Sequence, residues 1–309
     1  MVAKAIKIFN GSLGLNNRID PARLRTNAED YISCLAEAVN VDIDNSGRIS
    51  RRKGFKATTE TGNCHSMFCD GGDCLLVSGD KIYRLNKDYT KTELGSGLTP
   101  GAKMAYVQVA GKIYHCNGHE NGIYNHATAF ENYSVSNWTA GSYVGQATTK
   151  TFSDPPVGET LEYFKARIYI GKGETVWYTE RRAYSWVNLA DNWIDFDSPV
   201  TMIQAVDGGL FISTTKETFF FAGNSPLEFD KKKVSDYPAI KGTDTKVEGS
   251  LVEDGITGRL PVWVSKSGIC LGLPDGGIIN LTEKKLVYPP SNYGVGAIVD
   301  SKYIGLLEP

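Results

Sequence analysis

The sequence predicts an all-β chain of β-propeller type with about five or six blades, preceded by an N-terminal arm holding one short helix and a hairpin. Three observations predict it. First, a short phrase recurs in changing surroundings: Gly79-Asp80-Lys81-Ile82-Tyr83, Ala110-Gly111-Lys112-Ile113-Tyr114 and Lys165-Ala166-Arg167-Ile168-Tyr169, with looser copies at Asp207-Gly208-Gly209-Leu210-Phe211 and Asp300-Ser301-Lys302-Tyr303-Ile304. Each phrase opens in a turn and runs into alternating strand-forming residues, which is how degenerate blade repeats read. Second, 33 glycines, 16 tyrosines and 12 phenylalanines among 309 residues suit many short strands joined by tight turns. Third, everything after about residue 60 reads as strands and turns, without helical periodicity. The expected division is therefore an assembly arm and hairpin over residues 1–60 and a propeller domain over 61–309.

The elements follow in order. Asn27 can cap a helix over residues 28–38, whose early acids Glu29 and Asp30 suit a helix N-terminus and whose Tyr31, Leu35 and Ala38 share a face. Val39, Val41 and Ile43 then alternate with polar residues, Asp44 to Gly47 is a turn, and the chain returns from Arg48: a hairpin. Strands 74–78 and 81–85 flank Gly79-Asp80, and 104–109 and 112–116 flank Ala110-Gly111. Residues 161–170 are expected to pair with 175–179 across Gly171 to Glu174, and 210–214 with 218–222. Segments 261–265, 269–273 and 277–281 read as a three-stranded meander. The less regular stretches 130–151 and 181–198 read as long connections.

A formal charge of −2 argues against a general nucleic-acid binder. No apolar stretch approaches the ~20 residues that span a bilayer, and the first residues lack a signal-peptide pattern. The chain is therefore expected in a reducing cytoplasm with its six cysteines as free thiols. Cys64, His65, Cys69 and Cys74, with His115, Cys116 and His119, have the wrong spacing for common zinc sites, so no metal and no cofactor is expected. Asp42 to Gly47 resembles a calcium loop but lacks its closing glutamate and reads as an Asx-stabilised turn. Asp195 with Asp197, or Glu159 with Glu162, admit a glycosidase reading, yet no nucleophile or general base is singled out and no catalytic motif is present. The expectation is a protein without catalysis. Arg51-Arg52-Lys53 and Lys231-Lys232-Lys233 read as solvated loop charge, with a phosphate contact as the alternative. Trp138, Trp177, Trp186 and Trp193 fill gaps between blades or stack on sugars.

The hairpin carries a resemblance. AVNVDIDNSGRISRRKGF resembles the N-terminal signature of phage virion proteins of the tail-nozzle, tail-hub or packaged-DNA-stabilisation type, through Asn40, Val41, Asp42, Gly47, Arg52, Gly54 and Phe55. The upstream FNGSLGLNNRIDPARL, and later LEYFKARIYIGKGETVWYTE, MIQAVDGGLFISTTKETFFFAG and GICLGLPDGGIINLTEKKLVYP, are similar to segments of such proteins. The resemblance implies a structural subunit of a ring, six-fold in expectation, in a phage head-to-tail channel or tail. Its partners would be copies of itself, portal, adaptor or tail proteins, transiently passing double-stranded DNA and, where the tail tip is exposed, a host surface. It would be assembled in the host cytoplasm and end in the virion. Asn40, Asp42, Arg48, Arg51, Arg52 and Phe55 are the residues expected at an assembly interface. The alternative is a carbohydrate-binding, receptor-binding or glycosidase-type propeller.

Overall fold

The structure is a computed structural model that describes residues 11–24, 32–44, 46–54, 63–70, 72–126, 133–141, 150–252, 256–283 and 285–308. In the N-terminal part, β1 (Gly11–Leu15) pairs in parallel with β2 (Ile32–Leu35), and β3 (Val41–Ile43) forms the expected hairpin with β4 (Ile49–Arg51). Five antiparallel sheets of four strands then follow along the chain. Sheet 1 holds β5 (Cys64–Asp70), β6 (Asp73–Ser78), β7 (Lys81–Leu85) and β8 (Lys91–Ser96); sheet 2 holds β9 (Ala105–Val109), β10 (Lys112–Cys116), β11 (Asn121–His126) and β12 (Tyr133–Asn137). Sheet 3 holds β13 (Thr160–Phe164), β14 (Arg167–Lys172), β15 (Thr175–Tyr178) and β16 (Trp193–Asp195); sheet 4 holds β17 (Val200–Val206), β18 (Gly209–Thr214), β19 (Thr218–Ala222) and β20 (Asp230–Ser235). Sheet 5 holds β21 (Thr245–Glu248), β22 (Arg259–Ser265), β23 (Gly268–Gly272) and β24 (Ile278–Asn280). A final sheet, sheet 6, has two strands among the described residues, β25 (Gly294–Val299) and β26 (Lys302–Leu307).

The recurring phrase has a conformational basis. Its first two residues take φ of 51° and 72° at Ala110-Gly111, 44° and 66° at Lys165-Ala166, and 48° and 60° at Asp300-Ser301. Two successive positive φ values define the type I′ turn, whose twist matches the strands it joins. In sheets 2, 3 and 6 the phrase therefore marks the connection from first to second strand.

Meander sheets cannot bury both faces alone, so each stacks on its successor. Leu75, Val77 and Ile82 of sheet 1 pack against Ile113 and Tyr124 of sheet 2. Val107, Tyr114 and Ile123 of sheet 2 meet Leu161, Ile168 and Ile170 of sheet 3. Tyr169 and Val176 of sheet 3 meet Ile203, Leu210 and Ile212 of sheet 4. Met202, Phe211 and Phe220 of sheet 4 meet Trp263 and Cys270 of sheet 5, and Val262 and Leu271 of sheet 5 take Ile298 and Tyr303 of sheet 6. At about 1.5–3 kcal/mol for each large apolar side chain fully buried, these shared cores hold the series together. Among the described residues, no buried apolar cluster joins sheet 6 back to sheet 1.

Four expectations are corrected. Of the described part of the expected helix, residues 32–38, Ile32–Leu35 form a strand whose backbone pairs with β1, and the rest is not helical; residues 25–31, with the expected cap Asn27, lie outside the described residues. Residues 161–170 form two strands, with the Lys165-Ala166 turn between them. The two stretches read as connections contribute β12 and β16, the outermost strands of sheets 2 and 3. Cys69 and Cys74 are joined as a disulfide across β5 and β6, so not all six cysteines are free thiols.

Candidate assembly interface

The last sheet is where the molecule is least finished. In its register Val295 faces Leu306, Ala297 faces Ile304 and Val299 faces Lys302. Alternation puts these side chains on one face and Ile298 and Tyr303 on the other. The second face is covered by sheet 5. The first is open: Val295, Val299, Ile304 and Leu306 are all exposed, Leu306 to 69%. On β5 of sheet 1, Met67 is 68% exposed, while its neighbour Phe68 stacks on Tyr106 of sheet 2. Polar contacts span the seam. Lys103, in the segment between sheets 1 and 2, lies 3.9 Å from the Glu308 carboxylate and 5.5 Å from the Tyr293 ring centroid.

The N-terminal arm docks beside this sheet. Asn17 donates its backbone N–H to Lys285 O (3.0 Å) and its Nδ2 to Val287 O (3.0 Å), and its Oδ1 accepts from Val287 N (2.8 Å). Lys285 Nζ reaches Leu13 O at 2.9 Å. The hairpin is joined to β1 through Ser12 N–H to Gly47 O at 2.7 Å. There only glycine fits, since a Cβ at Gly47 would lie 2.8 Å from Ser12 O and its φ is 81°. Asp42 on β3 accepts from Lys302 Nζ on β26 at 3.3 Å.

Five of the six residues expected at an interface thus sit on one hairpin. Asn40, with φ of 57°, accepts Arg52 N–H through its carbonyl at 2.9 Å, closing the hairpin base. Asp42 carries the contact to the last sheet. Arg48, Arg51 and Arg52 are exposed; Phe55 lies outside the described residues. Asp44 organises the turn: its Oδ1 accepts from Ser46 N, Ser46 Oγ and Arg48 N at 2.9, 2.6 and 3.0 Å. The Ser46 hydroxyl, then the Arg48 N–H, holds its carboxyl below the usual range. These are the Asx-turn bonds expected of this loop. Sequence reading missed Lys302, Lys103 and the apolar face of β25–β26; the alternation Val295, Ala297, Val299 was the available signal.

The other chemical candidates are each accounted for by neighbours. Glu162 accepts from Tyr163 N, Ala205 N and Lys246 Nζ (2.7 Å), and Glu159 pairs with Lys241. The Glu162–Lys246 pair bridges β13 of sheet 3 and β21 of sheet 5, and Glu159 and Lys241 lie just ahead of those two strands. Asp244 sits beside them, accepting from Gln204 Nε2 at 2.6 Å; burial raises its carboxyl, the Gln204 bond opposes this, and the Glu162 charge raises it further. Thr175 donates to Asp195 at 3.1 Å, whereas Asp197 contributes its backbone carbonyl to Lys216. Lys232 pairs with Asp230, Lys233 with Glu217 and Asp236, and Lys231 lies over the Phe219 ring at 4.3 Å. His115 is buried, and burial lowers its imidazole to about 4. Cys116 is buried and its thiol is pushed up by that burial. Among the described residues no group of three or more His, Cys, Asp or Glu side chains is placed to hold a metal ion, and no helix is long and apolar enough to cross a membrane. Trp138 is buried, donating Nε1 to Tyr184 O at 3.0 Å, and Trp186 stacks on Phe152; both fill gaps. Trp193 does not.

No family model matches the sequence, and no curated protein does. Solved structures superpose on much of the chain. A streptogramin B lyase superposes with a TM-score of 0.50 at 11% identity, over 86% of this chain and 83% of the lyase. BBS1N, in a complex with ARL6DN, gives 0.49 at 12% identity over 87% and 86%, and a gluconolactonase from Xanthomonas campestris gives 0.44 at 13% over 76% and 82%. At such identities the likeness speaks to fold alone. The chain is β-propeller-like: nearly all β, built of small antiparallel four-stranded sheets.

Proposed function

We propose that this protein is a non-catalytic structural subunit that assembles with copies of itself into a ring, as a tail nozzle or hub component of a phage virion. In this reading sheet 6 is an incomplete sixth blade, and the open apolar face of β25–β26 is the patch a neighbouring copy covers. That face is the observation that carries the proposal. Every other sheet junction in the series is sealed by a buried cluster, and contiguous exposed apolar side chains mark an interaction surface. A ring repeats one heterologous contact until it closes. The N-terminal sequence resemblance supplies the virion context, and the hairpin that carries it lies against β26 through Asp42 and Lys302. DNA would pass through the ring of subunits. A host-surface contact and neighbouring portal, adaptor or tail proteins belong to the same reading.

The test is the mass of the purified protein in solution, with negative-stain images of what elutes. Rings on the order of six or twelve copies are expected, and the double variant Ile304→Lys with Leu306→Glu should elute as a folded monomer. A chain lacking residues 1–58 should keep its strand content and lose assembly. Wild-type protein that stays monomeric at every concentration reached, or a double variant that still forms rings, would refute this face as the interface.

The carbohydrate-binding alternative is favoured by one observation, the exposure of Trp193 beside a cleft. Its glycosidase form has none, because Glu159 and Glu162 are each engaged by a separate lysine.

A further inference from the structure

A cleft of about 480 Å³ opens between sheets 3 and 4, beside the edge strand β16. We infer that it binds an uncharged saccharide. The cleft has an aromatic wall: Trp193 is 47% exposed, paired across the ladder with Trp177, and held by its Nε1 donating to Ala190 O at 3.1 Å. Opposite lie Pro226 and the fully outward Leu227. An indole face fixed at its polar edge suits the C–H face of a pyranose ring.

The polar lining supplies the second, independent observation. Asn192 is only 4% exposed, yet it lines the cleft. Its N–H bonds Asn188 O, its carbonyl accepts Tyr178 N, and its Nδ2 donates to Glu180 Oε1 at 3.2 Å. Its Oδ1 accepts from no described residue, which leaves the amide oxygen able to take a hydrogen bond from a ligand hydroxyl. Beside it, Asp191 uses Oδ2 for Asn188 Nδ2 and has no described donor for Oδ1. Arg167 uses Nη1 for Thr179 O (2.6 Å) and Glu180 (3.5 Å), leaving Nη2 and Nε without described acceptors. The Glu180 carboxylate is already spent: burial would raise it, but bonds from Asn192 and Lys150 hold it below its usual range.

The ligand class follows from what is left over. The remaining groups are acceptors (Asn192, Asp191) and a donor fork (Arg167) around an apolar stack, the pattern that hydroxyl groups answer because each both donates and accepts. Two cations, Lys150 and Arg167, balance two anions, Glu180 and Asp191, so no net field selects a charged ligand. A volume within the usual range of about 300–1,000 Å³ accommodates a mono- or disaccharide. This inference does not depend on ring assembly, which is read by mass.

The test is titration of the full chain with a panel of neutral sugars (glucose, galactose, mannose, N-acetylglucosamine and their disaccharides), followed by calorimetry and by tryptophan fluorescence. At least one should bind saturably. Trp193→Ala should weaken that binding about tenfold or more, Leu227→Arg should block it, and Asp42→Ala, on the distant hairpin, should leave it unchanged. Both cleft variants alter exposed side chains, and unchanged melting curves would show them folded. No binding by any member at tens of millimolar sugar, or Trp193→Ala at wild-type affinity, overturns the inference; so does binding of a peptide or nucleoside in the cleft with no sugar bound.

Discussion

Sheets 3, 4 and 5 and the seam around sheet 6 are built from the same hairpins, yet they differ in what covers them. In the first region each sheet has four strands and apolar neighbours on both sides, so Ile170, Ile203, Phe211 and Trp263 are almost wholly buried. At the seam a two-stranded sheet has an apolar cluster on one face only, and its other side is met by an ion pair from the arm to β26 and a cation over the Tyr293 ring. Meander geometry alone therefore does not complete a propeller-like body; the last sheet needs a cover that its own strands do not supply.

The largest expected effect tests the closed side. Trp263 packs its ring 5.7 Å from Phe211, with Met202 and Phe220 in the same cluster. Trp263→Ala should cost about 3–5 kcal/mol of unfolding free energy, read from urea midpoints, whereas Leu306→Ala at the seam should fall within about 0.5 kcal/mol in monomeric protein. Equal losses at the two positions would erase the contrast.

The second effect is titration of a group sealed in sheet 2, away from the seam. His115, on β10, is buried with neither ring nitrogen hydrogen-bonded, and its folded pKa is about 4 against 6.5 for the free imidazole. The folded state holds it neutral, so its contribution is present above pH 6.5 and is lost as pH falls to about 4. The loss amounts to about 3 kcal/mol at 1.36 kcal/mol per pKa unit. His115→Leu should abolish that loss, so its stability relative to wild type should rise across this window. Parallel pH profiles for the two proteins would show that His115 is not sealed.

Much of the closed side was legible in the sequence. Gly79-Asp80 and Ala110-Gly111 mark turns because glycine populates positive φ at little cost, and the strands beside them lie as expected. Lys165-Ala166 was harder. Neither residue signals a left-handed turn, so the strand run was read straight through, although the recurring phrase marked the spot. Asp300-Ser301 is the same turn, yet its hairpin was not expected as a separate sheet. The strand at Ile32–Leu35 was hidden by helix-favouring neighbours, because parallel pairing with β1 is decided by residues some twenty positions away in the chain. The seam was invisible for a similar reason. Val295, Val299, Ile304 and Leu306 alternate as in any half-buried hairpin, and only the placement of sheet 5 decides which half is covered. Likewise nothing in the sequence separates the exposed Trp193 from the buried Trp138.

The smallest expected effect sharpens the seam. The Asp42 and Lys302 side chains are about half exposed and 3.3 Å apart, a geometry in which solvent screening leaves about 0–1 kcal/mol. Asp42→Ala should therefore barely move the melting midpoint of the monomer. Its value lies in position, because it is the ion pair from β3 to β26, the strand whose outer face is open. If the hairpin orients that face for a neighbouring copy, Asp42→Ala should shift the concentration at which rings form while leaving the monomer's melting intact. Restoring the pair in the reverse sense, Asp42→Lys with Lys302→Asp, should return assembly toward wild type. A reversed pair that assembles no better than Asp42→Ala would show that the hairpin merely rests on the last sheet, and the burden of assembly would then fall on the apolar face alone.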